Sequence, residues 1–296
     1  MEVAAVSLSE ARFRSPEEYR SYLRQILEKS TVKLDLAVLP AHSALFFAWS
    51  CGLQGNPCSF REATRAYLEK HEELNKIFID LHGELARQYQ LYLASGTILE
   101  GEDGRIFHSS ILFDRKGQVI GCQRQTHLSR LEKDMGFSRG EELQIFNTEL
   151  GKLGFVVHND SWYPEVSRIL ALQGAEIICH PGALPEEHNS CRQLAGMWQE
   201  TQQNQFFCVE SQLVAPMAGE FFAAISAIHA PCEMTENKTG FLIRGEAGQS
   251  TVSARLDFAA REQVLENYPL LSFLNPDAYR RYFPGIYHNK LKQEVR

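Results

Sequence analysis

The chain lacks any apolar run approaching the roughly 18–20 residues that a membrane-crossing helix requires, so a helical membrane span is not expected. Its opening residues, Met1-Glu2-Val3-Ala4-Ala5-Val6, have no basic stretch and no long apolar core. They read as a first strand rather than as a secretory signal. Positive charge is also scarce. Thirty Lys and Arg against 37 Asp and Glu leave a net charge of −7, which excludes a general electrostatic grip on nucleic acid or on an anionic membrane. None of the seven cysteines (Cys51, Cys58, Cys122, Cys179, Cys191, Cys208 and Cys232) belongs to a CxxC pair, and their number is odd and their spacing irregular. Reduced thiols in a cytoplasmic protein are the expectation. Repeats, low-complexity tracts and flexible linkers are missing too, so residues 1–296 read as one interlocked domain, with a core over 1–257 and a C-terminal arm over 258–296.

What is present is an ordinary globular composition, 44% hydrophobic and 23% charged over 296 residues, long enough to bury a sizeable core. Apolar runs alternate with helical patterns. Strands are expected at Met1–Leu8, Leu34–Leu39, Leu91–Ile98, Ile145–Thr148, Leu153–Val157 and Ala175–His180. Arg105–Phe113 and Val119–Gln125 form a hairpin around Asp114-Arg115-Lys116-Gly117. Later strands are expected at Phe206–Val214, Phe221–Ile228, Thr239–Arg244 and Thr251–Leu256. Ser15-Pro16-Glu17-Glu18 opens a helix with a capping serine, a proline at the first position and two acids at the positive end of the dipole. Helical spacing runs from Phe60 to Gln90, with a break expected near Gly83, and recurs over Glu165–Gln173 and Ser190–Gln205. The aromatic-rich, proline-containing segment from Phe258 onward reads as an extended arm that must pack on its own domain or on a partner subunit.

The stretch Gly151-Lys152-Leu153-Gly154-Phe155-Val156-Val157-His158-Asn159-Asp160-Ser161-Trp162-Tyr163-Pro164-Glu165 reads as a turn, a buried strand and a sharp passage into a helix. Leu36-Ala37-Val38-Leu39-Pro40-Ala41 is a second strand with an abrupt end, and Arg124-Gln125-Thr126-His127-Leu128 follows the hairpin. Glu132 comes soon after, in Leu131-Glu132-Lys133-Asp134-Met135-Gly136-Phe137. In order and spacing these motifs resemble the nitrilase, or carbon-nitrogen hydrolase, superfamily over nearly the whole chain. Gly140-Glu141-Glu142, Gly174-Ala175-Glu176-Ile177-Ile178 and Asn204-Gln205-Phe206-Phe207 add supporting matches.

The resemblance implies an α/β fold, a four-layer α-β-β-α sandwich of two six-stranded sheets, in molecules that pair through their outer helices. It also implies three catalytic positions. A cysteine thiolate attacks an amide or nitrile carbon, a glutamate moves protons, and a lysine steadies the tetrahedral anion. At those positions this chain has His158, Ala41 and Gln125, while Glu132 matches the family's second glutamate. A thioester cannot form on an imidazole, and losing one such group typically costs about 10²–10⁴ in rate.

Two functions follow. The first is a non-hydrolytic pseudoenzyme that binds a small ligand or a partner protein, with His158, Glu132, Gln125 and Trp162 as candidate ligand-binding residues. The second is a divergent hydrolase of amide-like C–N bonds. In it His158 acts as general base on water, Glu132 orients its ring and Gln125 donates to the oxyanion. Each residue also has a plain structural role: His158 as a buried hydrogen-bonded ring, Glu132 as an acceptor for backbone amides, Gln125 as a satisfied core amide and Asp160 as a cap for the following helix. His127, Glu132, His158 and Asp160 are metal-ligand types without a metal-binding spacing, so no metal or other cofactor is expected. Cys179 and His180 are neighbours on a strand and should point to opposite faces. The expected partners are an unknown small molecule and a second copy of the chain, in a dimer or a higher homo-oligomer.

Overall fold

Both faces of the first strand are apolar and fully buried: Val3 and Ala5 point one way, Ala4 and Val6 the other. A strand of this kind needs a layer on each side. The computed structural model describes residues 1–9, 12–185, 189–246 and 251–294. In chain order it runs β1 (Glu2–Val6), α1 (Pro16–Glu28), β2 (Leu36–Val38), α2 (Ser43–Ser50), α3 (Phe60–Leu68), α4 (His71–Tyr89), β3 (Tyr92–Glu102), β4 (Arg105–Phe113), β5 (Val119–Arg124) and α5 (Arg130–Asp134). The second half runs β6 (Ile145–Thr148), β7 (Gly151–Phe155), a 3₁₀ turn (His158–Trp162), α6 (Pro164–Leu172), β8 (Ile177–Gly182), α7 (Ser190–Gln193), a π-type turn (Leu194–Trp198), α8 (Gln199–Asn204) and β9 (Phe207–Gln212). A short ribbon of β10 (Pro216–Met217) and β11 (Glu220–Phe221) follows, then β12 (Ala227–His229), β13 (Phe241–Arg244), β14 (Thr251–Arg255), α9 (Phe258–Asn267) and α10 (Pro276–Glu294).

Two six-stranded sheets result, ordered β14-β1-β2-β3-β4-β5 and β13-β12-β9-β8-β7-β6. The middle of each is parallel: β1, β2 and β3 in one, β7, β8 and β9 in the other. Their inner faces meet through Val3, Val38, Phe155, Ile177, Phe207 and Val209. Burying an aromatic such as Phe155 there contributes about 1.5–3 kcal/mol. The outer face of the first sheet is covered by α1, α2 and α4 through Tyr19, Leu23, Phe47 and Phe78. The outer face of the second is covered by α6 through Val166 and Leu170. This is the four-layer α-β-β-α sandwich that the resemblance implies.

Some expectations are corrected. The long helix breaks at Glu69–Lys70, where Lys70 leaves the helical region, and α4 then passes straight through Gly83. Gly83 has a different job: a Cβ there would lie 2.7 Å from the carbonyl oxygen of Gly117, so its absence lets the β4–β5 turn sit on the helix. Helix α2 was not expected, because all eight of its residues are buried and it has no polar face to set a period. The expected strand Phe221–Ile228 divides between β11 and β12, which lie in different sheets. The arm is helical rather than extended. Two of its prolines fall where helices tolerate or need them, Pro269 beyond the end of α9 and Pro276 at the start of α10, whereas Pro284 sits inside α10 and removes a backbone donor there. Residues 295 and 296 of the arm lie outside the described residues.

Candidate functional site

Parallel strands in an open α/β layout deliver their following residues to one end of the sheet, the end where ligands bind in such folds. Here β2 leads to Ala41 and His42, β7 to His158, β8 carries His180, and β9 carries Glu210 and Gln212. Of these, His42, His158, His180, Glu210 and Gln212 border a cavity of about 300 Å³, and Ala41 lies outside its lining. His42, Glu132, His158 and His180 form its floor and sides, Phe60 and Phe222 add apolar wall, and Trp162 stands at the rim.

The approach of β2 to β3 shapes the first wall. Strand β3 is irregular between Ala94 and Thr97, and Gly96 there takes φ +78°. A Cβ on Gly96 would lie 2.1 Å from the carbonyl oxygen of Pro40 and 2.2 Å from Ser43 Oγ. Only glycine permits both that backbone and that contact. Ala41 is fully buried, and its N–H donates to the carbonyl of Gly182 at 3.2 Å. The next residue, His42, takes φ +59° and turns its ring to the cavity.

His42 belongs to a cluster of three imidazoles. Its ring stacks on that of His108 at 4.9 Å and 9°, and meets His158 edge-on at 4.8 Å. The N–H of His42 donates to Thr97 Oγ1 at 2.7 Å, and Thr97 Oγ1 lies 2.5 Å from His108 Nε2. Across the ring, His108 Nδ1 donates to Glu132 Oε1 at 2.8 Å and to Gln125 Oε1 at 2.9 Å. Glu132 Oε2 accepts from Gln125 Nε2 at 2.8 Å and from the backbone N–H of Ser129 at 2.7 Å. That last bond closes a capping box at the start of α5, because Ser129 Oγ accepts from the Glu132 N–H in return.

Protonation follows from these surroundings. Burial alone would raise the carboxyl of Glu132, but His108, His158 and the Ser129 N–H together hold it well below the usual carboxylate range. Burial lowers His158 to about 4, with Glu132 offsetting part of the effect and His108 and His180 adding to it. His42 is also pushed well below its ordinary value, first by burial and then by the other two imidazoles. At neutral pH the wall therefore sets an ionised Glu132 carboxylate beside neutral His42 and His158 rings.

A separate buried anchor joins the two sheets beside this cluster. Asp160 is fully buried, and its carboxylate accepts from the N–H groups of Thr126 and His127 at 3.0 and 2.8 Å and from Thr126 Oγ1 at 2.9 Å. His127 Nδ1 is 3.0 Å away, and the His127 ring stacks on Tyr163 at 3.7 Å. Asp160 thus grips the segment after β5 instead of capping α6, whose N-terminal position is Tyr163 with no side-chain cap.

Of the sequence candidates, His158, Glu132 and Trp162 border the cavity. Gln125 is 1% exposed and stands behind Glu132, and both of its N–H bonds are engaged, by Glu132 Oε2 and by the carbonyl of His127 at 2.7 Å. It has no N–H left for an oxyanion. Glu132 hydrogen-bonds His108, not His158, so it does not orient the His158 ring. Cys179 faces the inner core while His180 turns to the cavity. Among the described residues, no three His, Cys, Asp or Glu side chains are grouped to hold a metal ion. His42, His108 and Glu210 are not among the sequence candidates. His42 directly follows Ala41, and the Ser129-to-Glu132 spacing is a legible capping box, but nothing local marks His108 or Glu210 as reaching the same cavity.

The carbon-nitrogen hydrolase family model matches residues 17–231, well over half of the chain. The chain belongs to the carbon-nitrogen hydrolase family. Its fold is close to that of a carbon-nitrogen hydrolase from Helicobacter pylori G27, with a TM-score of 0.72 and 24% identity over 95% of this chain and 98% of that one. Among curated proteins it is 24% identical over 213 residues to the citrullinase of Francisella tularensis, a match covering 68% of this chain and 73% of that protein. It is 30% identical over 125 residues to a hydrolase of Schizosaccharomyces pombe, covering 40% of this chain and 38% of that protein. The carbon-nitrogen hydrolase fold therefore accounts for the two sheets and their cavity. No described helix is long and apolar enough to cross a membrane.

Proposed function

We propose that this member of the family is non-hydrolytic and holds a small ligand in the cavity beside His158. The observation that carries the reading is the commitment of the polar groups around the site of expected chemistry. Both N–H bonds of Gln125 and both oxygens of Glu132 are spent inside the wall. His158, at about 4, is a poor base at neutral pH, where an effective one has a value near the working pH. None of the described residues bordering the cavity is a cysteine. Reading Ala41, Gln125 and His158 as replacements for the family's glutamate, lysine and cysteine supports the same conclusion. The cavity volume suits a molecule of a few to a dozen heavy atoms.

The reading extends to assembly and compartment. Ile169 and Leu172 on α6 are 43% and 58% exposed, and α10 displays Tyr279, Phe283 and Tyr287 near them, with Tyr287 hydrogen-bonded to Glu165 of α6. A second copy of the chain is the proposed occupant of this face. A particle of twice 33.6 kDa by light scattering supports it, and a monomer at micromolar concentration sinks it. All seven cysteines are unpaired, which supports a reducing, cytoplasmic setting.

Purified protein assayed against a broad panel of amides, ureido compounds and nitriles should show no turnover. Turnover that disappears in His158→Ala and persists in Cys179→Ser would instead establish the divergent hydrolase.

A further inference from the structure

The cavity wall built by β8 and β9 is rich in acceptors that have no donor. Glu210 is 4% exposed. Its Oε1 accepts from Gln212 Nε2 at 2.7 Å, and its Oε2 from His229 Nε2 at 2.6 Å and Gln193 Nε2 at 3.3 Å. Gln193 Nε2 also donates to the carbonyl of Ile225 at 2.7 Å. Carboxylates and carbonyls only accept, so both glutamine amides must present nitrogen to them. That fixes which way the amides lie and leaves their oxygens pointing elsewhere. Gln193 Oε1 and Gln212 Oε1 are both buried and both lack a partner. Such atoms are rare in folded proteins and ask for an explanation.

His180 adds a third acceptor. Its Nδ1 donates to the carbonyl of Val156 at 2.7 Å, which leaves Nε2 with a lone pair. Gln193, Gln212, Glu210 and His180 all border the cavity, and the carboxylate of Glu132 stands across it. Glu210 keeps its charge. Burial would raise its carboxyl, but the bonds from His229 and Gln212 hold it below its ordinary value. The one guanidinium bordering the cavity among the described residues, Arg192, lies at the exposed rim, 5.3 Å over the Trp162 ring.

We propose that this wall receives the positively charged nitrogen head group of a small ligand, an ammonium or a guanidinium that gives N–H bonds to the Glu210, Gln193, Gln212 and His180 acceptors. The proposal rests on the preceding reading only in that the cavity holds a ligand. Amide hydrolysis by the protein would overturn that reading and leave this one standing. Binding indifferent to charge would do the reverse.

The test is calorimetry on the whole chain at pH 7.5 with four probes of similar size: butylguanidinium, butylammonium, butyramide and butyrate. At least one of the two cations should bind about tenfold or more tightly than butyramide, and butyrate should be weakest, as expected for charge-assisted hydrogen bonds. Tighter butylguanidinium identifies a planar, multi-donor head group. Tighter butylammonium identifies a compact one. Glu210→Gln should lower cation affinity about tenfold or more, and Gln193→Leu should lower it severalfold. If Glu210→Gln loses its circular dichroism signal, Gln193→Leu and Gln212→Leu decide. Equal binding of butyramide or butyrate, unchanged cation affinity in the folded variants, or no binding of any probe would overturn the proposal.

Discussion

Asp160→Ala removes the acceptor that ties the turn after β7 to the segment after β5. Four groups lose this partner: the Thr126 and His127 backbone N–H groups, the Thr126 hydroxyl and His127 Nδ1, bound at 2.8–3.0 Å. A buried donor left unmet costs about 1–3 kcal/mol. Thr126 and His127 are only partly buried, so water replaces some of what is lost and the lower half of that range applies to each. Two backbone donors then cost about 2–4 kcal/mol together, and the hydroxyl can rotate to water. Asp160→Asn keeps one acceptor oxygen but brings an N–H₂ into a fully buried position beside other donors, so it should recover less than half of the loss. Urea unfolding followed by tryptophan fluorescence, with the slope checked for constancy, measures both variants. At about 2 °C per kcal/mol for a chain of this size, Asp160→Ala should also melt about 4–8 °C lower. A loss under 1 kcal/mol, or Asn matching Asp, would show that the carboxylate is not what holds the two segments together.

Acid should weaken the fold through its buried imidazoles. His158 and His82 are both lowered to about 4, chiefly by burial, whereas an unfolded chain has them near 6.5. The unfolded state therefore binds more protons between those values. The stabilisation is complete above about 6.5 and is lost as the pH falls through about 4, at up to about 3 kcal/mol for each ring. Urea midpoints should drop from pH 7 to pH 4.5 and drop less in His158→Gln; an unchanged slope in that variant would refute the assignment. Gly96→Ala should cost about 3–5 kcal/mol, because it sets a Cβ against Pro40 and Ser43 and also strains a φ of +78°. Urea unfolding checks it, and a loss below about 1 kcal/mol would mean that the β2–α2 segment moves aside freely.

Most strands were legible from their apolar runs and from Gly and Pro at their turns, as at Pro40 and Gly117, whereas the sandwich came from the resemblance of the motifs to a known family. What sequence could not show is where long-range partners meet. His108 sits in the middle of β4, and only the pairing of β3 with β4 sets it beside Thr97. Glu210 and His229 are 19 residues apart and meet only across the β9–β12 pairing. Gly83 misled because glycine has two uses, ending helices and permitting contact, and here the second applies. Helix α2 carries no polar face, so periodicity had nothing to register. The prolines of the arm suggest extended chain, yet Pro276 is the first residue of a helix.

The pocket takes its sides from both sheets, His42 and Glu132 from one and His158, His180 and Glu210 from the other. An occupant is consequently a rivet through two layers. Filling it favours only the state in which both are assembled, so slowed amide-hydrogen exchange should spread along β1 and β9, at the inner interface, as well as around the occupant. Saturation would then be readable far from the mouth, as a rise in the melting temperature of the whole chain.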